Sequence, residues 1–202
     1  MNHLIVYAHP NTKSFCHALM QRVATSYRMQ GGDVVISDLY AMSFNPVLSD
    51  VDLAITGWEP YGSEVRTEQD KISRADVITF IAPVWWNGLP AILKGYFDRI
   101  FKKGFAYGDI NGRMQGLLTD KKFLFILTTG EQESVLRTKG TLDAITRLID
   151  DGISHFCGVS QSEVYFLCGI PTLSDSERKN ILEEVGILAR SFAYEEEQPY
   201  YF

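Results

Sequence analysis

The chain has 202 residues, of which 46% are hydrophobic and 22% charged, and its formal net charge is -6. This length suffices for one domain with a continuous core, so we expect residues 1–202 to form a single domain without metal or disulfide staples. The net negative charge argues against nucleic-acid binding, because phosphate recognition depends on clustered Lys and Arg. No apolar run approaches the roughly 20 residues that a bilayer crossing needs, so membrane insertion is not expected.

Strand and helix patterns alternate along the chain. In chain order we predict a strand at 3–8, a helix at 14–29, a strand at 33–37, an irregular covering segment with short helical turns at 41–63, a helix at 64–74, a strand at 77–82, a helix at 91–103, a strand at 122–128, a helix at 140–151, a strand at 162–167 and a helix from Ser174 or Ser176 to about Tyr194. This alternation predicts an α/β fold with a doubly wound parallel sheet and helices on both faces. The acidic and aromatic residues 195–202 are expected to form a docked C-terminal tail.

The three cysteines give a guide to the redox compartment. Cys16, Cys157 and Cys168 are an odd number without paired ligand spacing. They therefore favour a reducing compartment and argue against a zinc site, and no other metal site is predicted. The N-terminal segment reads as a first strand and is too short for a signal peptide. We expect a cytoplasmic protein.

The aromatic segment after the third predicted strand is the strongest indication of a ligand site. Pro83 cannot donate to a strand ladder, so the strand should end there, and Trp85 and Trp86 follow at its carboxyl end, where open α/β sheets bind ligands. With Asn87 and Gly88 beside them, the two indoles suit a flat aromatic ring. Because successive residues point in different directions, we expect one of the two Trp side chains to pack in the core.

Two further loops are expected at the same edge of the sheet. Residues 8–15 lead into a helix N-terminus, which favours a phosphate, although neither nucleotide glycine fingerprint is present. Thr12, Lys13 and Ser14 are left to bind the phosphate, and His9 is either a phosphate contact or a structural donor. The other loop, 128–131, follows a strand, and its glycine lets backbone N–H groups approach a carbonyl oxygen, as a flavin ring requires. No catalytic constellation of side chains is evident, so a bound cofactor should carry the chemistry.

Several segments together resemble one family. These are AHP with SF after it, SDLYAMSFNPVLS at 37–49, EQDKISRADVITFIAPVWWNGLPAILKGYFDRIF at 68–101, GFAY at 104–107, LTTG at 127–130, GISHFCG at 152–158 and the final PYYF. In this order they resemble the flavodoxin-like quinone reductases, the family of NAD(P)H:quinone oxidoreductase or DT-diaphorase. The resemblance implies a flavodoxin-like three-layer sandwich with a doubly wound parallel five-stranded sheet. It also implies a homodimer whose second subunit completes each of two flavin sites.

The resemblance also implies the site residues. Flavin phosphates would lie at His9, Ser14 and Phe15, with Cys16 where vertebrate members carry Asn. Ring contacts would be Pro83, Val84, Trp85, Trp86 and Asn87 together with Thr128, Thr129, Gly130 and the adjoining Glu131. Matches at Gln69, Asp98 and Arg178 to residues that reach the adenine half favour FAD, with FMN as the alternative. Tyr107 would line the substrate pocket, and amides around Gly130 would stabilise negative charge on the reduced flavin.

The predicted activity is a ping-pong reduction of quinones or similar flat electrophiles by NAD(P)H, through hydride transfer to flavin N5. One departure bears on it: Leu136 and Leu142 stand where vertebrate members carry a Tyr and a His proposed to assist hydride transfer. Since stacking and orientation dominate this transfer, we expect activity to survive. Two alternatives are an ancillary oxidoreductase subunit of a potassium-efflux system and a one-electron flavodoxin carrier.

Overall fold

The computed structural model describes residues 1–54 and 63–194, and its centre is a five-stranded parallel sheet. In chain order the strands are β1 (Asn2–Tyr7), β2 (Asp33–Asp38), β3 (Val77–Pro83), β4 (Tyr107–Ile110), β5 (Arg113–Gly116), β6 (Lys122–Thr128) and β7 (Gln161–Leu167). The sheet has the order β2-β1-β3-β6-β7, while β4 and β5 form a separate antiparallel hairpin. This order is that of a doubly wound flavodoxin-like sheet, so the predicted fold class is confirmed.

Helices cover both faces of the sheet. They are α1 (Phe15–Met29), α2 (Asp50–Ala54), α3 (Ser63–Arg74), α4 (Ala91–Ile100), α5 (Glu133–Thr138), α6 (Thr141–Ile149) and α7 (Asp175–Tyr194), with a π-helical turn at Asp150–His155 and a 3-10 turn at Ile170–Thr172. Alternate strand residues point to opposite faces. Ile5 and Ile81 pack in the core beneath α1 and α7, whereas Leu4 and Phe80 pack in the core beneath α3, α4 and α6. All residues of β3 are buried, as a central strand covered on both faces requires.

The structure corrects the predicted elements at three places. The helix predicted at 91–103 ends at Ile100, because Phe101 leaves the helical conformation (ψ 66°) and the side-chain amide of Gln69 donates to the Ile100 carbonyl at 2.9 Å. The β4–β5 hairpin and α5 were not predicted. Residues 55–62 of the covering segment and the tail 195–202 lie outside the described residues.

A buried arginine holds the covering segment against α4. Arg99 donates to the Asn45 carbonyl at 2.7 Å, to the Asp52 carboxylate at 3.1 Å and to the Glu64 carboxylate at 2.7 Å. The three acceptors come from the covering segment, α2 and α3, so one side chain of α4 connects all of them. No helix within residues 1–54 and 63–194 has both the length and the apolar content to span a membrane.

Candidate functional site

Three loops begin side by side at the carboxyl edge of the sheet. They follow β1, β3 and β6, which are neighbours in the sheet. The first residue of each loop still donates to the next strand: Ala8 to Ile81 at 3.0 Å, Val84 to Thr128 at 2.7 Å and Thr129 to Leu167 at 2.8 Å. The sheet therefore fixes the starting point of each loop, and the expectation that the three loops meet at one edge is confirmed.

The second and third loops form a cleft with the 3-10 turn that follows β7. Its volume is about 420 Å³, and it is lined by Pro83, Val84, Trp85, Trp86, Thr128, Thr129, Gly130, Ile170 and Pro171. None of these lining residues carries a formal charge. The cleft is therefore suited to a flat ligand that is held by apolar contacts and backbone hydrogen bonds.

The two tryptophans stand on a tight turn. Trp85 and Gly88 exchange both backbone hydrogen bonds, at 3.0 and 3.1 Å, and the central residues Trp86 and Asn87 have φ of 53° and 55°. Positive φ at both central positions is typical of a type I′ turn. Trp85 is 41% exposed and Trp86 is 102% exposed. The expectation that one Trp packs in the core is therefore wrong, because the turn lifts both rings away from the sheet.

The third loop offers backbone donors to the cleft. The Thr128 hydroxyl lies 3.1 Å from the Cys16 sulfur, and the Thr129 hydroxyl donates to the Glu131 carbonyl at 2.9 Å. Within residues 1–54 and 63–194, the amides of Gly130 and Glu131 donate to no carbonyl or side chain. A Cβ at Gly130 would meet no atom within 4 Å. The loop thus presents two unpaired N–H groups beside open space, the arrangement that an oxyanion or carbonyl acceptor requires.

The first loop provides a helix N-terminus. Ser14 caps α1 by accepting a hydrogen bond from the His17 amide at 3.1 Å, and there is no acidic residue in the first turn. The amides of Phe15 and Cys16 donate to no carbonyl oxygen in the part of the chain that the structure describes. Unpaired amides and the positive dipole end favour an anion such as a phosphate.

His9 and Cys16 have different surroundings in this loop. His9 Nδ1 accepts from the Asn11 amide at 3.0 Å, so in neutral His9 the proton lies on Nε2, and partial burial lowers the pKa of His9. Its ring lies 5.9 Å from the Trp85 ring, between the first two loops. The Cys16 thiol is buried, which raises its pKa to about 11, and it faces Thr128. Its side chain therefore lies beneath the cleft.

The three residues predicted for the adenine half do not come together within one chain. Gln69, in α3, is buried and donates to the Ile100 carbonyl at the C-terminus of α4. Asp98 pairs with Lys94 and lines a second cavity of about 290 Å³, which shares no lining residue with the cleft. Arg178 donates to the Ile170 carbonyl at 3.2 Å and thus supports a wall of the cleft.

Tyr107 also lies in the second cavity, not in the cleft. Its ring is 4.9 Å from that of Phe156, which is 47% exposed. Sequence reasoning missed Phe156 and the cleft residues Ile170 and Pro171. The signal for the last two was their place after the last parallel strand, because that strand ends at the same sheet edge.

The two leucines expected at the positions of the vertebrate Tyr and His are buried apolar residues. Leu136 in α5 and Leu142 in α6 are both buried. Neither position offers a proton donor or acceptor.

This chain is similar in sequence and fold to known proteins. Residues 1–186 match a protein family described as having a flavodoxin-like fold. The chain is 36% identical over 184 residues to an uncharacterized NAD(P)H oxidoreductase of Haemophilus influenzae, covering 91% of each protein. It is 34% identical to NAD(P)H dehydrogenase (quinone) 1 of Cavia porcellus, covering 98% of this chain and 79% of that protein. The solved structure of NAD(P)H:quinone oxidoreductase from Methanothermobacter marburgensis superposes with a TM-score of 0.85 at 28% identity, covering 94% of this chain and 98% of that one.

Proposed function

Because this chain belongs to the flavodoxin-like family of NAD(P)H:quinone oxidoreductases, we propose that it is a flavin-dependent enzyme that reduces quinones with NAD(P)H as electron donor. The observation that carries the proposal is the cleft, which is lined by two tryptophans and by the loop with the unpaired amides and has no charged lining residue. Such a site suits a ring system with carbonyl acceptors on one edge.

The residues of the cleft fit a flavin. Trp85 and Trp86 would contact the ring, and the amides of Gly130 and Glu131 would donate to its pyrimidine carbonyl edge. The amides at the N-terminus of α1 would hold the phosphate. These contacts concern the part that FAD and FMN share, and we propose FAD, with FMN as the alternative. When bound, the flavin supplies two-electron hydride chemistry, for which this chain has no side chain of its own.

The size and openness of the cleft support a ping-pong order. NAD(P)H and the quinone are both flat at their reacting ends, and both would use the surface between the Trp turn and Ile170 in turn. The chain's contribution is to orient the rings and to direct N–H groups at developing negative charge. Leu136 and Leu142 are buried and apolar, so at these two positions the chain would supply no proton donor, and protons would come from water.

We further propose a cytoplasmic homodimer. Tyr107 and Phe156 line a cavity apart from the cleft, and Phe156 and Trp86 are exposed. A second copy that brings its Tyr107 cavity over the cleft would cover these rings and complete the site. Free cysteines at 16, 157 and 168 are compatible with a reducing compartment.

Anaerobic titration of the purified flavoprotein with NADPH or NADH tests the proposal. We expect the visible flavin absorbance to disappear with one equivalent of donor and to return on addition of a quinone. Mass spectrometry of the released cofactor distinguishes FAD from FMN. Gly130→Val, which places a side chain in the open space of the cleft, should weaken flavin binding. A protein that neither binds a flavin nor loses its absorbance with NAD(P)H would refute the proposal.

A further inference from the structure

The wall of the cleft formed by Ile170 and Pro171 belongs to a single 3-10 turn. Two backbone hydrogen bonds fix the start of this turn to the third loop: Gly169 donates to the Glu131 carbonyl at 2.8 Å and Ile170 to the Thr129 carbonyl at 3.1 Å. These bonds join the wall directly to the loop that carries the unpaired amides. The relative position of wall and amides therefore depends on how firmly the turn is held.

The side chain of Gln132, directly after the third loop, fixes the far end of the turn. Gln132 Nε2 donates to Thr172 Oγ1 at 2.8 Å, and Thr172 Oγ1 in turn donates to the Gly169 carbonyl at 2.8 Å. The Gln132 amide passes so close to Gly169 that a Cβ there would lie 2.7 Å from Nε2. Gly169 also has φ of 67°, which favours glycine. The backbone of Gly169 and the hydroxyl of Thr172 are thus placed to accommodate the Gln132 side chain.

The position of Gln132 at the start of α5 also indicates that its side chain serves the contact with the turn. It is the N-cap residue of α5, yet its side chain makes no capping hydrogen bond. Ser, Thr, Asp and Asn are the residues that stabilise this position in a helix, and Gln is not among them. The side chain instead reaches 40 positions along the chain to Thr172. Its contribution is therefore to the contact between the two segments.

We infer that Gln132 and Thr172 are positioning residues that hold the Gly130 and Glu131 amides at a fixed distance from the Ile170 wall, so that both contact one ring. Neither side chain lines the cleft, so their effect passes through the segments that they join. The inference deepens the proposed function and rests on it, since the ring in question is the flavin.

The test compares flavin affinity across a set of variants, with FMN and FAD added to the apoprotein and followed by fluorescence quenching. Gln132→Ala removes one hydrogen bond and should raise the Kd roughly three- to tenfold. Thr172→Val removes the same contact and also the hydrogen bond to the Gly169 carbonyl, so it should raise the Kd at least as much. The double variant should be no weaker than Thr172→Val alone, because Thr172→Val already removes the contact with Gln132. Thr172→Ser keeps the acceptor and should bind like the wild type.

Two further measurements separate positioning from general stability. Gln21→Ala removes an exposed glutamine hydrogen bond on α1 (3.1 Å to His17) and should leave the Kd unchanged. Hydrogen exchange of the apoprotein should be faster at residues 129–136 in Gln132→Ala, while the bound flavin's reduction potential becomes more negative, since looser amides stabilise the reduced form less.

The outcomes are distinct. Wild-type affinity, exchange and potential in both Gln132→Ala and Thr172→Val would overturn the inference while the proposed function stands. A lower melting temperature of both variants with unchanged Kd would also overturn it, because the contact would then serve stability alone. If the wild type binds no flavin, the proposed function fails, and the inference that these residues position a flavin fails with it. Faster hydrogen exchange in Gln132→Ala would then show only that the contact between Gln132 and Thr172 orders the loop.

Discussion

Trp86 has a backbone conformation that is unfavourable for its side chain. Its φ of 53° lies in the left-handed region, where a bulky residue costs about 1–2 kcal/mol. Because the ring is fully exposed, contacts within the described chain offset little of that cost. Backbone strain at the mouth of a cleft is typical of a residue kept for binding.

Replacement of Trp86 should therefore separate stability from binding. We expect Trp86→Asn to raise the free energy of unfolding of the apoprotein by about 0.5–1 kcal/mol, because Asn tolerates the left-handed region. Loss of the ring should weaken flavin binding by at least about tenfold. Urea unfolding and fluorescence titration measure the two effects. Trp85, whose φ is not positive, is the control: Trp85→Asn should weaken binding without stabilising the protein. A less stable Trp86→Asn apoprotein would contradict the strain argument.

His3 should make the protein sensitive to acid. It is 1% exposed, its ring stacks on Tyr27 at 3.8 Å and its Nε2 lies 3.1 Å from the Tyr194 hydroxyl. Burial, with a smaller effect of the N-terminal amino group and an opposing one of Asp76, lowers the pKa of His3 from 6.5 to about 4. The neutral form stabilises the fold fully above pH 6.5, and this stability is lost as the pH falls from 6.5 towards 4.

The expected loss from His3 between pH 7 and pH 4 is roughly 3 kcal/mol in the free energy of unfolding. Urea unfolding at several pH values measures it. His3→Phe, which keeps a ring on Tyr27, should lose less stability over the same range. An unchanged pH dependence in His3→Phe would show that other groups carry the acid sensitivity.

At the scale of secondary structure, Arg99 should hold the covering segment in place. Burial acts to raise the pKa of Asp52, but hydrogen bonds from Arg99 and Ser49 outweigh it and hold that pKa below its ordinary value. Arg99→Met leaves this buried carboxylate without its cation and should lower the free energy of unfolding by about 3–5 kcal/mol.

Urea unfolding of Arg99→Met and of one further variant checks the Arg99 prediction. Asp52→Asn in the Arg99→Met background removes the uncompensated charge and should recover part of the loss. A loss below about 1 kcal/mol in Arg99→Met would mean that the ion pairs contribute no more than exposed ones.

The central parallel strands could be predicted from continuous apolar runs of strand length, because they are buried on both faces, and the helices could be predicted from the helical period of their apolar residues. Ser174, a predicted start of the last helix, is its cap: Ser174 Oγ accepts from the Glu177 amide at 3.3 Å. The β4–β5 hairpin buries few side chains and so shows no such period. Its one local signal was Asn111–Gly112, both with positive φ, in the turn between the strands.

At the scale of the whole molecule, only part of the site could be predicted. Loops that follow adjacent parallel strands meet by topology, so the two sides of the cleft at Trp85 and Gly130 followed from the strand order. The location of Tyr107 in another cavity did not follow, because it depends on how the hairpin packs against Phe156. The burial of Cys16 beneath Thr128 depends likewise on the rotation of α1 against the sheet.

If a second copy completes each site, two defective variants should complement each other. Gly130→Val alters the cleft and Phe156→Ala alters the separate cavity. In a heterodimer one site carries both defects and the other carries none. Co-refolding the two variants in equal amounts should therefore restore roughly a quarter of wild-type quinone reduction, since half of the dimers are mixed. Activity equal to the mean of the two homodimers would argue that each chain works alone.

The ladder bonds that extend one residue beyond β1, β3 and β6 have a consequence for evolution. Because Ala8, Val84 and Thr129 are still held by the sheet, residues after them can be exchanged without loosening the scaffold that carries them. Leu136 and Leu142 lie in the apolar interior, where their side chains fill the space with apolar contacts and leave no void. The loop residues can therefore change among relatives while the fold persists.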